Sequence, residues 1–393
     1  MFTHRTTTKK FFGVAAAAAV TLGAGILAAG PATAASPQSP PRADWPAGEV
    51  FVQNNGAGGN SVTVFDRAHN GTLTRAGTYW TGGLGGSETG AVVDPLASQG
   101  SLTYDGAHLQ LFAVNAGSNT ISVFAVRGDH LQLRQVLSSH GKFPTSVSVS
   151  GNLVYVLNAG GQGSISGYRE VAGSVVPLAA STRSLGLGNA DIPAFLQAPA
   201  QVAITPDREH VVVATKSNNT IDVFGLGRFG EPSAAPVVNP SVGGVPFAMT
   251  FADGKLQVAN ASGSATSYRV RDNGTLALVS GPVANGQAAT CWSTTARGFL
   301  YAANAGSATI TGYRIGAGGV LSLLQSTGVS ATTGAGPVDI ASTPGGRYVY
   351  ELATGAGAID EFAVAANGAL TLVGTVTGLP ANNGSGMEGI AVS

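Results

Sequence analysis

Cysteine is almost missing from this chain: Cys291 is the only one in 393 residues. No intrachain disulfide can form, so stability has to come from packing. Charge is scarce too. Asp, Glu, Lys and Arg together make up 10% of the residues, against roughly 25% in ordinary domains. The formal net charge is zero, and there is no clustered basic face of the kind that nucleic acid requires. None of the six histidines pairs with another at metal-ligand spacing, so no metal and no cofactor are expected. No Gly-x-Ser-x-Gly elbow precedes a helix, and no helical periodicity is present to carry one. Past the N-terminus, no stretch approaches the ~20 consecutive apolar residues of a membrane span.

The N-terminus is different. Arg5, Lys9 and Lys10 precede an uncharged, Ala-rich stretch from Phe11 to Gly30, and Ala32-Thr33-Ala34 offers a small-x-small cleavage site. Residues 1–34 therefore read as a secretory signal, which places the mature protein outside the cytoplasm. Cleavage near Ala34 removes three basic residues and no acid, because Asp44 is the first acid; the balance shifts from zero to −3. Residues 35–48 are rich in Pro and Ser and read as an extended, mobile tether.

Glycine is abundant, with 57 residues, about twice the usual share. It belongs to a phrase that recurs seven times. The clearest copy is Leu111-Phe-Ala-Val-Asn-Ala-Gly-Ser-Asn-Thr-Ile-Ser-Val-Phe124: an apolar strand, an Asn/Gly turn, and a second strand that ends on an aromatic. The terminal aromatics are Phe65, Phe124, Tyr168, Phe224, Tyr268, Tyr313 and Phe362, with gaps of 59, 44, 56, 44, 45 and 49 residues. A strand-type repeat of roughly 40–50 residues is that of a β-propeller. A second signature keeps the same phase. Asn70-Gly71, Asn273-Gly274 and Asn367-Gly368 each precede a strand start, and a two-residue hairpin with positive φ at both residues is expected there. Inner strands are expected near residues 100, 145, 200, 247, 291 and 338. That is one short of seven. The missing strand is Glu388–Val392, which is expected to complete the first blade and so remove the free sheet edges. The fold class is all-β: one seven-bladed propeller of four-stranded antiparallel blades over residues 49–393, expected to be monomeric.

In such a fold a site is expected at the face where the inner strands begin. His69, His130, His108 and His210 fall at the opposite face, and His140 alone is on the expected one. Cys291, beside Trp292, reads as a buried, inert thiol. Lys216 stands out because other copies of the phrase place alanine there (Ala116, Ala159, Ala261, Ala305). The catalytic candidates are Lys216, Asp339, Glu388 and His140. The binding candidates are Gln201, Phe247, Trp292, Thr145 and Arg183, with Gln99, Asp191 and Asn304 on the same face. The repeated Asn115, Asn158, Asn260 and Asn304 read as structural turn residues.

Four stretches carry a family resemblance. They are Phe143-Pro-Thr-Ser-Val-Ser-Val, Leu153-Val-Tyr-Val-Leu-Asn-Ala-Gly160, Pro199-Ala-Gln-Val-Ala-Ile-Thr-Pro-Asp207, and Gly281-Pro-Val through to Cys291-Trp292. The chain resembles the seven-bladed propeller lactonases, the group of 6-phosphogluconolactonase and the 3-carboxymuconate-cyclising enzymes, and most of all their secreted branch. The resemblance implies a lactone or sugar-ester hydrolase. The cytoplasmic pattern of Pro-His at an inner-strand start, Asn-Glu in a turn and a nearby arginine is not matched. Here stand Pro144-Thr145, Pro199-Ala200, Pro246-Phe247 and Pro337-Val338, with Asn260-Ala261 and Asn304-Ala305 in the turns. No catalytic residue is carried over. Two readings stay open: a secreted hydrolase, with Lys216 or Arg183 supplying positive charge and Asp191, Asp339, Glu388 or His140 the base; or a non-catalytic propeller that binds a glycan, metabolite or protein at that face.

Overall fold

The second strands of the repeats are largely apolar on both faces, and a strand of that kind must be covered on both sides. In this computed structural model, which describes Met1 and residues 46–382 and 386–393, they are covered by neighbouring blades. The expected signal over 1–34 and most of the expected tether lie outside the described residues. Seven antiparallel sheets follow one another around a ring. Blade 1 takes Glu49–Gln53, Ser61–Arg67 and Leu73–Trp80, with Ile390–Val392 as its innermost strand. Blades 2 to 7 begin with the inner strands Leu102–Asp105, Pro144–Ser150, Pro199–Ile204, Pro246–Ala252, Thr290–Ala296 and Pro337–Ser342. In blades 3 and 6 the outer position is shared by two short strands that pair with the same neighbour.

The second strands are the core. Gln110–Asn115, Leu153–Asn158, His210–Thr215, Phe299–Asn304 and Tyr348–Ala353 are buried at every residue. Burying one such Phe or Tyr is worth roughly 1.5–3 kcal/mol. The outer strands alternate with solvent instead, as Leu73–Trp80 does. Three tyrosines on second strands tie one blade to the next. Tyr155 donates to Gly230 O, Tyr301 to Gly368 O at 2.8 Å, and Tyr350 to Gly71 O at 2.8 Å. The C-terminal strand closes the ring as the sequence suggests: Val50, Phe51 and Val52 pair with Val392, Ala391 and Ile390. Arg67 then donates to Ala47 O at 2.6 Å and Ser393 O at 3.3 Å, binding the start and the end of the propeller together.

Two turn expectations need correction. At Asn70-Gly71 only the glycine has positive φ (92°), and the same holds at Gly274 (80°) and Gly368 (88°). The asparagine instead accepts from the backbone two residues on: Asn70 Oδ1 from Thr72 N–H at 3.1 Å, with Asn273 and Asn367 doing the same. The extra residue makes a glycine bulge rather than a two-residue hairpin. Asn115, Asn158, Asn260 and Asn304 are structural, but as the last residues of the second strands rather than as turn residues, and all four are fully buried. Asn304 shows the role. Its Nδ2 donates to Thr309 Oγ1 at 3.0 Å and Thr311 Oγ1 at 2.9 Å, and its Oδ1 accepts from Thr290 Oγ1 at 2.6 Å. One amide thus pins three strands of a blade.

Candidate functional site

Seven inner strands line a central channel, and five of them are irregular at their first residues. Their register breaks between Pro144 and Ser146, Pro199 and Gln201, Pro246 and Met249, Thr290 and Trp292, and Pro337 and Ile340. A bulge re-aims side chains. The side chains along the channel differ sharply between its two ends.

The end where the inner strands begin is covered. Residues 81–101, joining blade 1 to blade 2, cross the channel and bond to blades on the far side. The Gln99 amide pairs with the Ser293 backbone in both directions, at 2.8 and 2.9 Å. Trp292 Nε1 donates to Ser98 O at 2.8 Å, and the Trp292 ring meets Phe247 edge-on with centroids 5.0 Å apart. Thr354 Oγ1 donates to Val93 O at 3.0 Å. Thr89 exchanges backbone bonds with Pro193 and Phe195 of the segment that joins blades 3 and 4.

A group of ionisable side chains lies under this cover. Lys216 is 4% exposed; its Nζ donates to Ala97 O at 2.7 Å and lies 5.3 Å from the Phe247 ring centroid and 5.6 Å from that of Phe195. Asp94 accepts from the N–H groups of Leu96, Ala97 and Ser98 at 2.9, 2.8 and 3.0 Å. Its carboxyl meets that of Glu388. Glu88 is buried with neither oxygen hydrogen-bonded. Burial pushes Glu88 well above the ordinary carboxylate range, with Lys216 opposing the rise and Asp94 adding to it. Burial raises Asp94 as well, against the bonds it accepts. Glu388 is raised strongly by burial, then by the Asp94 charge. Cys291 is buried in the same group, its thiol pushed up to about 12, so it is a neutral SH as the sequence suggests.

The other end is open. A cavity of about 350 Å³ runs from a floor at Gln99, Gln201, Ser293 and Asp339 to a mouth at Tyr104, Val149, Thr295, Ser342 and Val392. The mouth residues close the inner strands, so it opens on the face of the hairpins that join inner to second strands. Hydroxyls line it: Thr103, Ser148, Thr250, Ser293, Thr294, Thr295 and Ser342. No basic side chain is among the lining residues. Its one acid is Asp339, whose oxygens accept from Ile340 N–H at 2.9 Å and Ile390 N–H at 3.1 Å. Burial raises the Asp339 carboxyl to about 8, with the Asp94 charge adding to the rise. At neutral pH Asp339 is mostly protonated and can donate a hydrogen bond, while losing its proton just above neutrality.

Of the sequence candidates, Lys216, Asp339 and Glu388 are gathered around the channel. His140 is not: it is exposed on the outside of blade 3, its ring 5.8 Å from that of Tyr168, beside a depression formed with residues 177–182. Thr145, Phe247 and Trp292 are buried beneath the cover. Gln201 lies at the cavity floor, its amide bonded to both the N–H and the C=O of Met249. Arg183 is at the edge of blade 3, where its guanidinium donates to the carbonyls of Ala180, Thr182, Pro232 and Ser233. Asp191 is exposed and pairs with Lys142 at 3.4 Å. Glu88 and Asp94 went unnamed in the sequence. Their signal was the 59-residue gap between Phe65 and Phe124, the longest of the six, within which they are the only acids between Asp66 and Asp105. Among the described residues, Asp207, Glu209 and His210 in one hairpin could together approach a metal ion. They sit in the hairpin that joins the inner and second strands of blade 4, and no second observation there points to a ligand.

No protein-family model matches the sequence, and no curated protein does either. Solved structures do match in shape. A candidate 6-phosphogluconolactonase from Bacteroides uniformis superposes with a TM-score of 0.68 at 16% identity, covering 88% of this chain and 99% of that one. A second, from Bacteroides fragilis, gives 0.64 at 18%, covering 90% and 100%. The periplasmic gluconolactonase of Pseudomonas aeruginosa gives 0.63 at 17%, covering 88% and 98%. At such identities the likeness speaks for the fold alone, and the chain is a seven-bladed β-propeller, the fold it shares with these proteins.

Proposed function

We propose that this chain is an exported hydrolase that takes a small, neutral, hydroxylated lactone or sugar ester into the open end of its channel. The observation that carries the reading is Asp339: a carboxyl raised to about 8 at the floor of a hydroxyl-lined cavity of about 350 Å³. The lining suits a ligand that exchanges hydroxyl hydrogen bonds. With no cation and one acid in the lining, a phosphorylated or carboxylated ligand is disfavoured. Export is supported by the basic, apolar and small-x-small pattern of residues 1–34; among the described residues no helix is long and apolar enough to cross a membrane.

In the reaction, protonated Asp339 donates to the ester carbonyl and stabilises the negative charge that develops on that oxygen. A water from the mouth attacks the carbonyl carbon. The acyl–oxygen bond breaks, and the proton lost by the water goes to the leaving alkoxide, giving a hydroxy acid. The protonated form is the working one, so activity holds below about pH 8 and falls as pH rises through it. If Asp339 were instead the base, activity would rise over the same interval.

A second reading, capture of a neutral sugar without turnover, is favoured by the absence of any basic side chain from the lining. Assaying the secreted protein against neutral and phosphorylated sugar lactones separates the two, with Asp339→Asn beside wild type. Hydrolysis expects turnover of neutral lactones, an alkaline limb near pH 8, a loss of about 10–100-fold in the variant at pH 7, and no such limb in the variant. Calorimetric binding with background turnover supports capture. Neither binding nor turnover of neutral lactones overturns both.

A further inference from the structure

The cover over the channel is held by a contact that requires a proton. Asp94 is on the cover, and Glu388 lies two residues before the strand that closes the ring. Their carboxyls are hydrogen-bonded to each other, and Leu96 N–H lies 2.9 Å from Asp94 Oδ1 and 3.3 Å from Glu388 Oε2. Ionised carboxylates only accept, so two can share a hydrogen bond only if one keeps its proton. The surrounding donors decide which one does. Asp94 accepts from three backbone N–H groups, whereas Glu388 has that single long contact and an Oε1 without a partner. The proton therefore belongs on Glu388, donated to Asp94.

We propose that this shared proton is a latch: while Glu388 holds it, residues 81–101 seal one end of the channel, and its loss releases them and turns the blind cavity into a through-passage. The groups facing the pair are Glu88 on the cover itself, Lys216 from blade 4, Cys291 from blade 6 and Asp339 from blade 7. Lys216 is the only positive one. Deprotonation sets a second negative charge against Asp94 with one buried lysine to offset the group. The remaining polar ties of the cover are hydrogen bonds, paired at Gln99 with Ser293 and at Thr89 and single at Val93, Ala97 and Ser98, and water can replace these once the segment lifts. The latch is closed at neutral pH and opens on the alkaline side. It acts on access to the channel and does not depend on what the channel binds.

Cys291 is a built-in reporter, because it is the only thiol and lies beneath the cover. Its reaction with a small disulfide reagent is followed from about pH 7 to about pH 10 in the intact protein, with Glu388→Gln beside wild type. The glutamine amide donates to Asp94 without titrating, so that variant stays latched. The ratio of the two rates cancels the ordinary pH dependence of the thiol itself. It is expected near one at pH 7 and to rise about tenfold by pH 10, a factor that corresponds to one pKa unit of coupling. A ratio that stays near one across the range overturns the latch. Hydrogen exchange in wild type alone gives an independent reading should the variant misfold. Residues 88–98 are expected to lose protection at alkaline pH while the second strands keep theirs; uniform loss, or none, overturns it. Neither readout needs a ligand or turnover, so each leaves the hydrolase reading untouched.

Discussion

The two ends of the channel are built from the same seven strands and behave oppositely. At one end a segment of some twenty residues crosses the opening and buries five carboxyl or amine groups with it: Glu88, Asp94, Lys216, Asp339 and Glu388. At the other, the strands end in short hairpins, the lining is hydroxyls, and water can enter. The repeat makes both ends alike by default. One non-repeating insertion makes them different, and every ionisable group of interest lies along the boundary it creates. Asp339 belongs to both sides, lining the open cavity while feeling the charge of Asp94 beneath the cover.

The comparison can be broken first at the closed end. Trp292→Ala removes the edge-on contact with Phe247 and the bond to Ser98 O, and an expected loss of about 3–5 kcal/mol in denaturant unfolding would follow from a buried aromatic truncation. A loss below about 1 kcal/mol would mean that the cover does not rest on that ring.

A smaller effect is expected at the boundary. Asp339 titrates near 8 when folded, against an ordinary carboxyl value of 3.8 when unfolded. A carboxyl raised by folding contributes its full stability below the unfolded pKa, and that stability drains away as pH rises through the folded one. Relative to Asp339→Asn, wild type should therefore weaken by a few kcal/mol between about pH 4 and about pH 8. Urea melts of both proteins at the two pH values give the difference directly, and a pH-independent difference would contradict the raised carboxyl.

The smallest effect belongs outside the channel. His140→Ala should change stability by no more than about 0.5 kcal/mol and leave activity unaltered, as exposed substitutions generally do. A marked loss of turnover would move the site away from the channel altogether.

The fold was legible because the repeat fixes it many times over. Each copy repeats the strand, turn and aromatic of the last, and a count of six inner strands against seven aromatics already pointed to Glu388–Val392 as the missing strand. The site was legible only in part. Lys216 was found because it breaks the phrase, and Asp339 and Glu388 because they stand near inner-strand starts. What local pattern could not convey was which end of the channel is covered. The path of residues 81–101 is set by contacts such as Gln99 with Ser293, 194 residues away, and no periodicity encodes those. Arg183 misled for a related reason: its charge suggested a ligand, while four backbone carbonyls, two of its own segment and two across a blade junction, consume it.

A cavity with a single mouth imposes an order on traffic. With the cover seated, whatever enters between Tyr104 and Ser342 must leave by the same way before the next molecule comes in. A long polymer cannot be threaded past Asp339, only presented by its end. Under the proposed hydrolysis, turnover would be limited by how quickly a product backs out; under either reading the channel would admit chain termini and free small molecules and exclude the middle of a glycan.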